Sequence, residues 1–547
     1  MAAKAENTRC LPKISEDAWK NLVMSVAIAA LAVLILARLG HYALWDDEAI
    51  TALGAKAVHL TGDTSVLVDH SNVVGYREGV NITNFADRLD PPLPSYVTAA
   101  SFAFFGMDAW SARLPFALSG LITCGLLLWW ARSGSALMLA VVALGLIGNV
   151  PLILYARQCR YYGLAIFITV AMAYIYCRWK PAASTFLILS VLSVYLFGAS
   201  CLTYAALYAC FSVDYLVWKR KEWPFRWRSA LLLFGPQVVL NGLIFSVWNP
   251  FRTKFGGYEA MNGIWERLTL GWWYWRDANQ GEFFALPVLL LALIVGIVQR
   301  RTWLVRGCVV LAVYVLFITV GSPQPVKITS VADVRYVSAV IPLAIALEAG
   351  AICVLLGRLP WLAIGAAVVV FGTNIFNGGP LLDRGFHSTI CDYVGELLHP
   401  VPEPYTPTAD WINANVPDGE SVWVLPDYST YPLMFHAPRA LYAWQLDWPP
   451  RADFAQLPAI HFKGQVPPDF LVAFGPYAGQ MVQALQSWNR PDVRYQQVAT
   501  LPVFWHDMYR PELFWRSFTP ITGFDPNSQA IYIFKRTSPP IAAPAKP

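Results

Sequence analysis

The chain is built from a succession of apolar runs, each near the length of a bilayer crossing, divided by short segments in which Lys and Arg collect. A span needs about 20 apolar residues, because every backbone N–H and C=O in hydrocarbon must find its partner within a helix. Runs at 21–39, 114–131, 136–155, 162–178, 182–199, 201–217, 229–248, 284–298, 307–321, 336–356 and 361–377 fit that pattern. The first is too long for a removed signal peptide and lacks the small-residue cleavage site that would follow one. Composition agrees: 56 % of the 547 residues are hydrophobic and only 14 % charged, where a soluble chain carries about 25 % charged residues. A net charge of +5 spread over this length makes no phosphate-binding stripe, so nucleic acid is not a partner. The nine Cys contain no CxxC pair, which argues against a disulfide scaffold and a structural zinc site. HExxH and GxxxxGK(S/T) are both absent.

Orientation follows from the basic residues at the ends of the runs. Lys4, Arg9, Lys13 and Lys20 fall on one side, with Arg132, Arg178, Lys180, the 219–228 cluster, Arg300, Arg301, Arg306 and Arg358. The positive-inside rule then places the N-terminus in the cytoplasm, with about eleven crossings. Everything after about residue 378 lies outside. Segment 93–110 is apolar but short; it reads as a juxtamembrane helix on the outer face, or else as a true span with another run split wrongly. The expected fold class is a multi-spanning α-helical membrane protein with a C-terminal extracytoplasmic α/β domain. Residues 1–377 form the membrane domain, with a large first outer loop at 40–112, and residues 378–547 form the outer domain. In that tail, TADWINAN and YAGQMVQALQSW read as helices, while the alternating Val-Trp-Val of SVWVL, DFLVAF and AIYIFKR read as strands. The closing TSPPIAAPAKP reads as disordered.

Four stretches at the outer side carry the residues able to do chemistry. HYALWDDEAI places Asp46, Asp47 and Glu48 directly after the first run. Three adjacent acids at an interface are costly unless solvated, paired or bound to a cation, and like-charge neighbours favour one of them as a general base. The alternative is a solvated loop start. In DRLDPPLPSYV two prolines fix the backbone beside Asp90, a substrate-binding candidate or an N-cap. LYARQCRYYGL carries Arg157 and Arg160 three apart, with Tyr161 and Tyr162 beside them. That spacing allows one helical face. Arg at an outer end calls for an anion, a phosphate or the acids of the first loop, unless the side chains merely snorkel. SVADVRYVSAVIP brings Arg335 and Tyr336 into a run from outside, with Asp333 as a local partner for Arg335, and Lys327 precedes it. The Trp-rich 248–283 segment reads first as an interfacial girdle, and Glu348 in its apolar run as either a site or a partner of a neighbouring helix. Acids suit a base that deprotonates a hydroxyl, and arginines suit a departing phosphate. A transporter would place such residues near the midplane of paired, interrupted spans; here they gather at one face.

The order of these motifs resembles a known family. An acidic pair after the first run, a PPL segment, Arg113-Leu114-Pro115, YARQCRYYGL and Arg335-Tyr336 before a late run recur in the sequence of the GT-C membrane glycosyltransferases. Bacterial members akin to the aminoarabinose–lipid A transferases and the protein O-mannosyltransferases are the nearest in pattern. The resemblance implies transfer of a sugar from a polyprenyl-phosphate donor to a lipid, glycan or protein acceptor, with inversion, at the outer face of a bacterial inner membrane. It puts the base at Asp47, with Asp46 as rival and Glu48 as the second acid of the pair. It puts the donor phosphate on Arg157 or Arg160 and on Arg335, with Asp90, Tyr161 and Tyr336 near the substrate. Asp90 stands where aminoarabinose transferases often carry Lys, which points to a different sugar or acceptor. Oligosaccharyltransferases carry an acid after the arginine turn, where this chain has Gly163 and Leu164. No cofactor is indicated; a divalent metal stays an open alternative without a residue pattern to indicate it, and transfer without a metal is the chemistry that the resemblance implies.

Overall fold

The computed structural model describes residues 15–68, 72–74, 82–83, 85–87, 91–223, 226–248, 263–322, 331–378, 385–400, 403–446, 457–475, 477–487, 493–502 and 530–538. Asp90, Lys327 and most of the closing segment lie outside the described residues. Each apolar run forms a helix. The first, α1 (Glu16–Leu36), starts where the Ser15 hydroxyl accepts the Ala18 N–H. A short connection leads into α2 (Asp46–Thr61), which ends at Gly62 with φ +83°, a conformation glycine adopts without strain. A two-residue hairpin, β1 (Ile82–Thr83) with β2 (Ala86–Asp87), precedes α3 (Leu93–Phe105). Asp108 caps α4 (Ala109–Ala131), accepting the Ser111 N–H at 2.7 Å.

The run expected as one span at 136–155 is broken. Helices α5 (Ala136–Gly148) and α6 (Val150–Arg157) meet at 62°. Asn149 causes the break: its side chain accepts the Leu152 N–H and donates to the Phe283 carbonyl, so it caps the second helix instead of continuing the first. Then come α7 (Tyr162–Arg178), α8 (Ala183–Ala199), α9 (Cys201–Asp214) with a π-turn to Lys219, α10 (Trp227–Val247) and α11 (Ile264–Gln280). The membrane region closes with α12 (Leu286–Val298), α13 (Thr302–Gly321), a 3₁₀ stretch Val334–Val340 running into α14 (Ile341–Leu356), and α15 (Pro360–Gly372).

Among the described residues six helices are long and apolar enough to cross a membrane, or seven if the bent pair counts as one, against the roughly eleven expected. Four of the expected spans, at α7, α8, α12 and α15, are helices of only 13 to 17 residues. At 1.5 Å per residue they reach about 20 to 26 Å, short of a hydrocarbon core near 30 Å. Several helices carry the acid and arginine candidates at one end and the basic cluster at the other. Arg113 opens α4 and Arg132 caps it; Tyr162 opens α7 and Arg178 closes it; Arg335 precedes α14 and Arg358 follows. At that opposite end Arg306 on α13 is paired with Asp214, which also accepts the Tyr176 hydroxyl at 2.9 Å.

After α16 (Thr389–Leu398) and α17 (Tyr405–Asn415), the tail forms a five-stranded sheet in the order β4-β3-β5-β7-β6. The strands are β3 (Ser421–Leu425), β4 (Leu441–Tyr442), β5 (Phe470–Phe474), β6 (Tyr495–Pro502) and β7 (Ala530–Arg536), with α18 (Thr430–His436) and α19 (Tyr477–Ser487) between them. β3 runs parallel to both neighbours, and β5 and β6 are antiparallel to β7. The Val-Trp-Val alternation of β3 therefore does not mark a half-exposed strand. Val422, Trp423 and Val424 are all buried, as central strands with parallel neighbours are covered on both faces.

The sheet region packs onto the segment between α1 and α4. Phe435 on α18 stacks on Phe102 of α3, with ring centroids 6.1 Å apart. The Asn72 amide donates to the Ala440 carbonyl at 2.9 Å and accepts the Tyr442 N–H at 2.9 Å, standing in for a strand neighbour. His436 Nε2 accepts the Leu44 N–H at 3.0 Å, so this ring must be neutral there. Burial, with Arg113 adding to it, holds the His436 imidazole down at about 4 from its usual 6.5. Because the folded value lies below the unfolded one, this contribution to stability is complete above pH 6.5 and is lost as pH falls from 6.5 towards 4. Thermal unfolding followed from pH 8 to pH 4 is expected to show that fall in wild type and a shallower one in His436→Gln. Equal slopes would remove His436 as its source.

Candidate functional site

The three adjacent acids that follow the first helix form the first turn of α2, where a helix N-terminus favours negative charge. Their side chains diverge. Glu48 is 1 % exposed and accepts from Arg113 in a fork, Nε to Oε1 at 2.9 Å and Nη2 to Oε2 at 2.6 Å. It also accepts the Cys159 N–H at 2.8 Å. The rest of the Arg113 guanidinium donates to the carbonyls of Leu39, Tyr42 and Ala43, which close the turn between α1 and α2. One buried and well-satisfied ion pair thus fastens the start of α2 to α4 and to the α6–α7 turn. Close approach there depends on Gly163, where a Cβ would lie 2.8 Å from the Phe116 carbonyl oxygen. Asp46 is buried on the side of the sheet region, near enough to Tyr405 for its charge to be felt there.

Asp47 is the acid that meets two arginines from two other segments. Its Oδ2 accepts from Arg335 Nη1 at 2.6 Å, and its Oδ1 lies 3.4 Å from Arg160 Nη2. Arg160 also donates to the Thr51 hydroxyl, one turn along α2, at 3.2 Å. Arg335 donates from Nε to Asp333 Oδ2 at 2.7 Å. The Asp47 and Arg335 side chains keep 17 % and 24 % of their surface open, so the pair is reachable, while Arg160 at 9 % forms the inner wall. Burial pushes the Asp333 carboxyl above its usual range, and the Arg335 charge works in the opposite direction. Tyr161 and Tyr162 stand ring to ring at 4.4 Å within the field of Arg335, and the Arg335 guanidinium lies 5.7 Å from the Tyr336 ring centroid.

Arg157 goes elsewhere. α6 ends at Arg157 and Gln158 is extended, so the two arginines do not share a helical face as their spacing suggested. Arg157 donates to the carbonyls of Leu34 and Ala37 and to the Tyr393 hydroxyl, tying α1 to α16. Glu348 accepts the Ala285 N–H at 2.6 Å, the neighbouring-helix contact of the sequence reading. Sequence reasoning gave no role to Arg113, to Thr51 or to Asp333 beyond a local pair. The available signal for Arg113 was an arginine at the start of an apolar helix, which demands a buried acceptor.

The arrangement is an open-sided cluster of two carboxylates and two guanidinium groups drawn from three separated segments. A third anion entering it competes with a carboxylate for arginine, and a carboxylate released in that exchange is free to accept a proton.

No family model and no curated protein matches the sequence. Among solved structures, the chain is similar to ArnT from Cupriavidus metallidurans in the apo state, at 15 % identity and a TM-score of 0.52, covering 95 % of this chain and 98 % of that one. ArnT bound to undecaprenyl phosphate gives 14 % identity, the same TM-score of 0.52 and the same 95 % and 98 % coverage. The oligosaccharyltransferase AglB from Archaeoglobus fulgidus, in complex with an inhibitory peptide and a dolichol-phosphate, gives 11 % identity and a TM-score of 0.46 over 86 % of this chain and 71 % of that one. At such identity the likeness is one of fold. Over 95 % of its length this chain shares the fold of ArnT, a fold of the kind that the order of its motifs led us to expect.

Proposed function

We propose that this protein transfers a sugar from a polyprenyl-phosphate donor to a hydroxyl of an acceptor at the outer face of a bacterial inner membrane. In this reading the N-terminus is cytoplasmic, the chain crosses about eleven times with the bilayer locally thinned around the shorter helices, and the sheet region lies outside. The observation that carries the proposal is the meeting of Asp47 with Arg160 and Arg335 in one accessible cluster, within a fold whose neighbour ArnT has been seen bound to undecaprenyl phosphate.

Arg335 and Arg160 hold the donor phosphate, and Asp47 takes the proton of the acceptor hydroxyl. The resulting oxygen attacks the anomeric carbon as the bond from that carbon to the phosphate oxygen breaks, with inversion. The electron pair leaves on polyprenyl phosphate, whose added negative charge the guanidinium groups offset. Glu48 serves by holding Arg113 and the α2 start, and Tyr161 and Tyr336 frame the guanidinium. Each chemical role falls to a side chain, so no cofactor enters the scheme.

The test is an assay of purified protein with a panel of polyprenyl-phosphate sugars and mixed envelope acceptors, reading polyprenyl phosphate released and the anomeric configuration of the product. Release coupled to an inverted product is expected for at least one donor. A retained configuration would remove the single-displacement mechanism, and no turnover of any donor would count against the donor class.

A further inference from the structure

Two carboxylates share the Arg335 guanidinium, and they use different edges of it. Asp333 accepts from Nε at 2.7 Å, whereas Asp47 accepts from Nη1 at 2.6 Å. A guanidinium is a rigid plane with its donors in a fixed fork, so a bond at Nε sets the direction in which the opposite edge points. Asp333 lies two residues from Arg335 at the start of the same 3₁₀ stretch, and its side chain is only 17 % exposed. It therefore travels with the arginine. Asp47 belongs to α2, a separate element, and occupies the guanidinium edge away from Nε. The formal charges of Asp47 and Asp333 cancel those of Arg160 and Arg335. An anion thus enters by taking one guanidinium edge away from a carboxylate.

We infer that Asp333 is a positioning residue, which aims Arg335 at the phosphate of a polyprenyl-phosphate ligand, while Asp47 holds the same guanidinium until that phosphate displaces it. This rests on the donor class proposed above. The base is in consequence kept engaged in the resting state and released by the arrival of the donor, so that deprotonation is tied to occupancy.

The experiment measures binding of polyprenyl phosphate, carrying no sugar, to the full-length protein in detergent by Trp fluorescence, a readout without chemistry. Removing either carboxylate takes negative charge away from an anion site, so charge alone tightens binding in both variants. Positioning makes the signs differ. Asp47→Asn is expected to bind more tightly than wild type, and Asp333→Asn about tenfold more weakly, the scale of one charge-assisted hydrogen bond. Asp333→Ser makes the same comparison should the Asn variant not be recovered folded. Asp333→Glu, which restores the charge on a longer stem, is expected to regain part of the loss. In turnover, the Asp333→Asn effect falls on the donor KM more than on kcat. Affinity in Asp333→Asn equal to or above that of wild type overturns the inference and leaves the donor reading standing. Wild type that fails to bind polyprenyl phosphate overturns both.

Discussion

Asp47→Asn is expected to lower kcat by about 10²- to 10⁴-fold, the range for loss of a positioned general base, while thermal stability stays close to wild type. Asn has nearly the same shape and still accepts from Arg335 through its carbonyl oxygen, so the cluster keeps its geometry. What it lacks is a site for the proton. The same substitution on the neighbouring Asp46 separates the two candidates that sequence alone left open. Asp46 is buried near Tyr405, whereas Asp47 is the acid that the two arginines engage. Asp46→Asn is expected to retain turnover within a few-fold of wild type, the lesser loss expected of a residue outside proton transfer. Steady-state kinetics on the two variants decide it. Wild-type-like turnover of Asp47→Asn would take the base role from Asp47, and a collapse confined to Asp46→Asn would move it one residue back.

The second large effect concerns folding. Arg113→Met leaves Glu48 buried with its principal cation gone and strips three carbonyls of the α1–α2 turn of their donor. Breaking a buried pair from one side costs about 3 to 5 kcal/mol, because the remaining charge has no water to turn to. The expected result is a marked fall in the unfolding temperature in detergent and a low yield of folded protein. Glu48→Leu combined with Arg113→Met removes both charges, and is expected to recover much of that stability while transfer stays impaired, since the α2 start is no longer fastened beside the α6–α7 turn. If Arg113→Met unfolds at the wild-type temperature, the pair is not the fastening that the geometry indicates.

These effects separate residues that look equivalent along the chain. Asp46, Asp47 and Glu48 are adjacent and chemically alike, yet successive positions of a helix point about 100° apart, so one is buried near Tyr405, one meets Arg160 and Arg335 and one is buried against Arg113. Arg157 and Arg160 look like a pair, yet the helix ends between them and their side chains serve different neighbours.

The sequence by itself determined the membrane class, where most of the apolar helices fall, the change of character in the tail and three of its strands. These depend on apolar length and on short-range periodicity, both written locally in the residues. It also carried the stretches from which the site is made. The tertiary structure decided which members meet. Asp47 and Arg335 are 288 residues apart, Glu48 and Arg113 are 65 apart, and Asn72 and Tyr442 are 370 apart. No local pattern encodes such pairings. They arise when helices settle against one another with every buried charge required to find a partner, and that requirement, more than motif spacing, sent Arg157 to backbone carbonyls and Arg335 to Asp47.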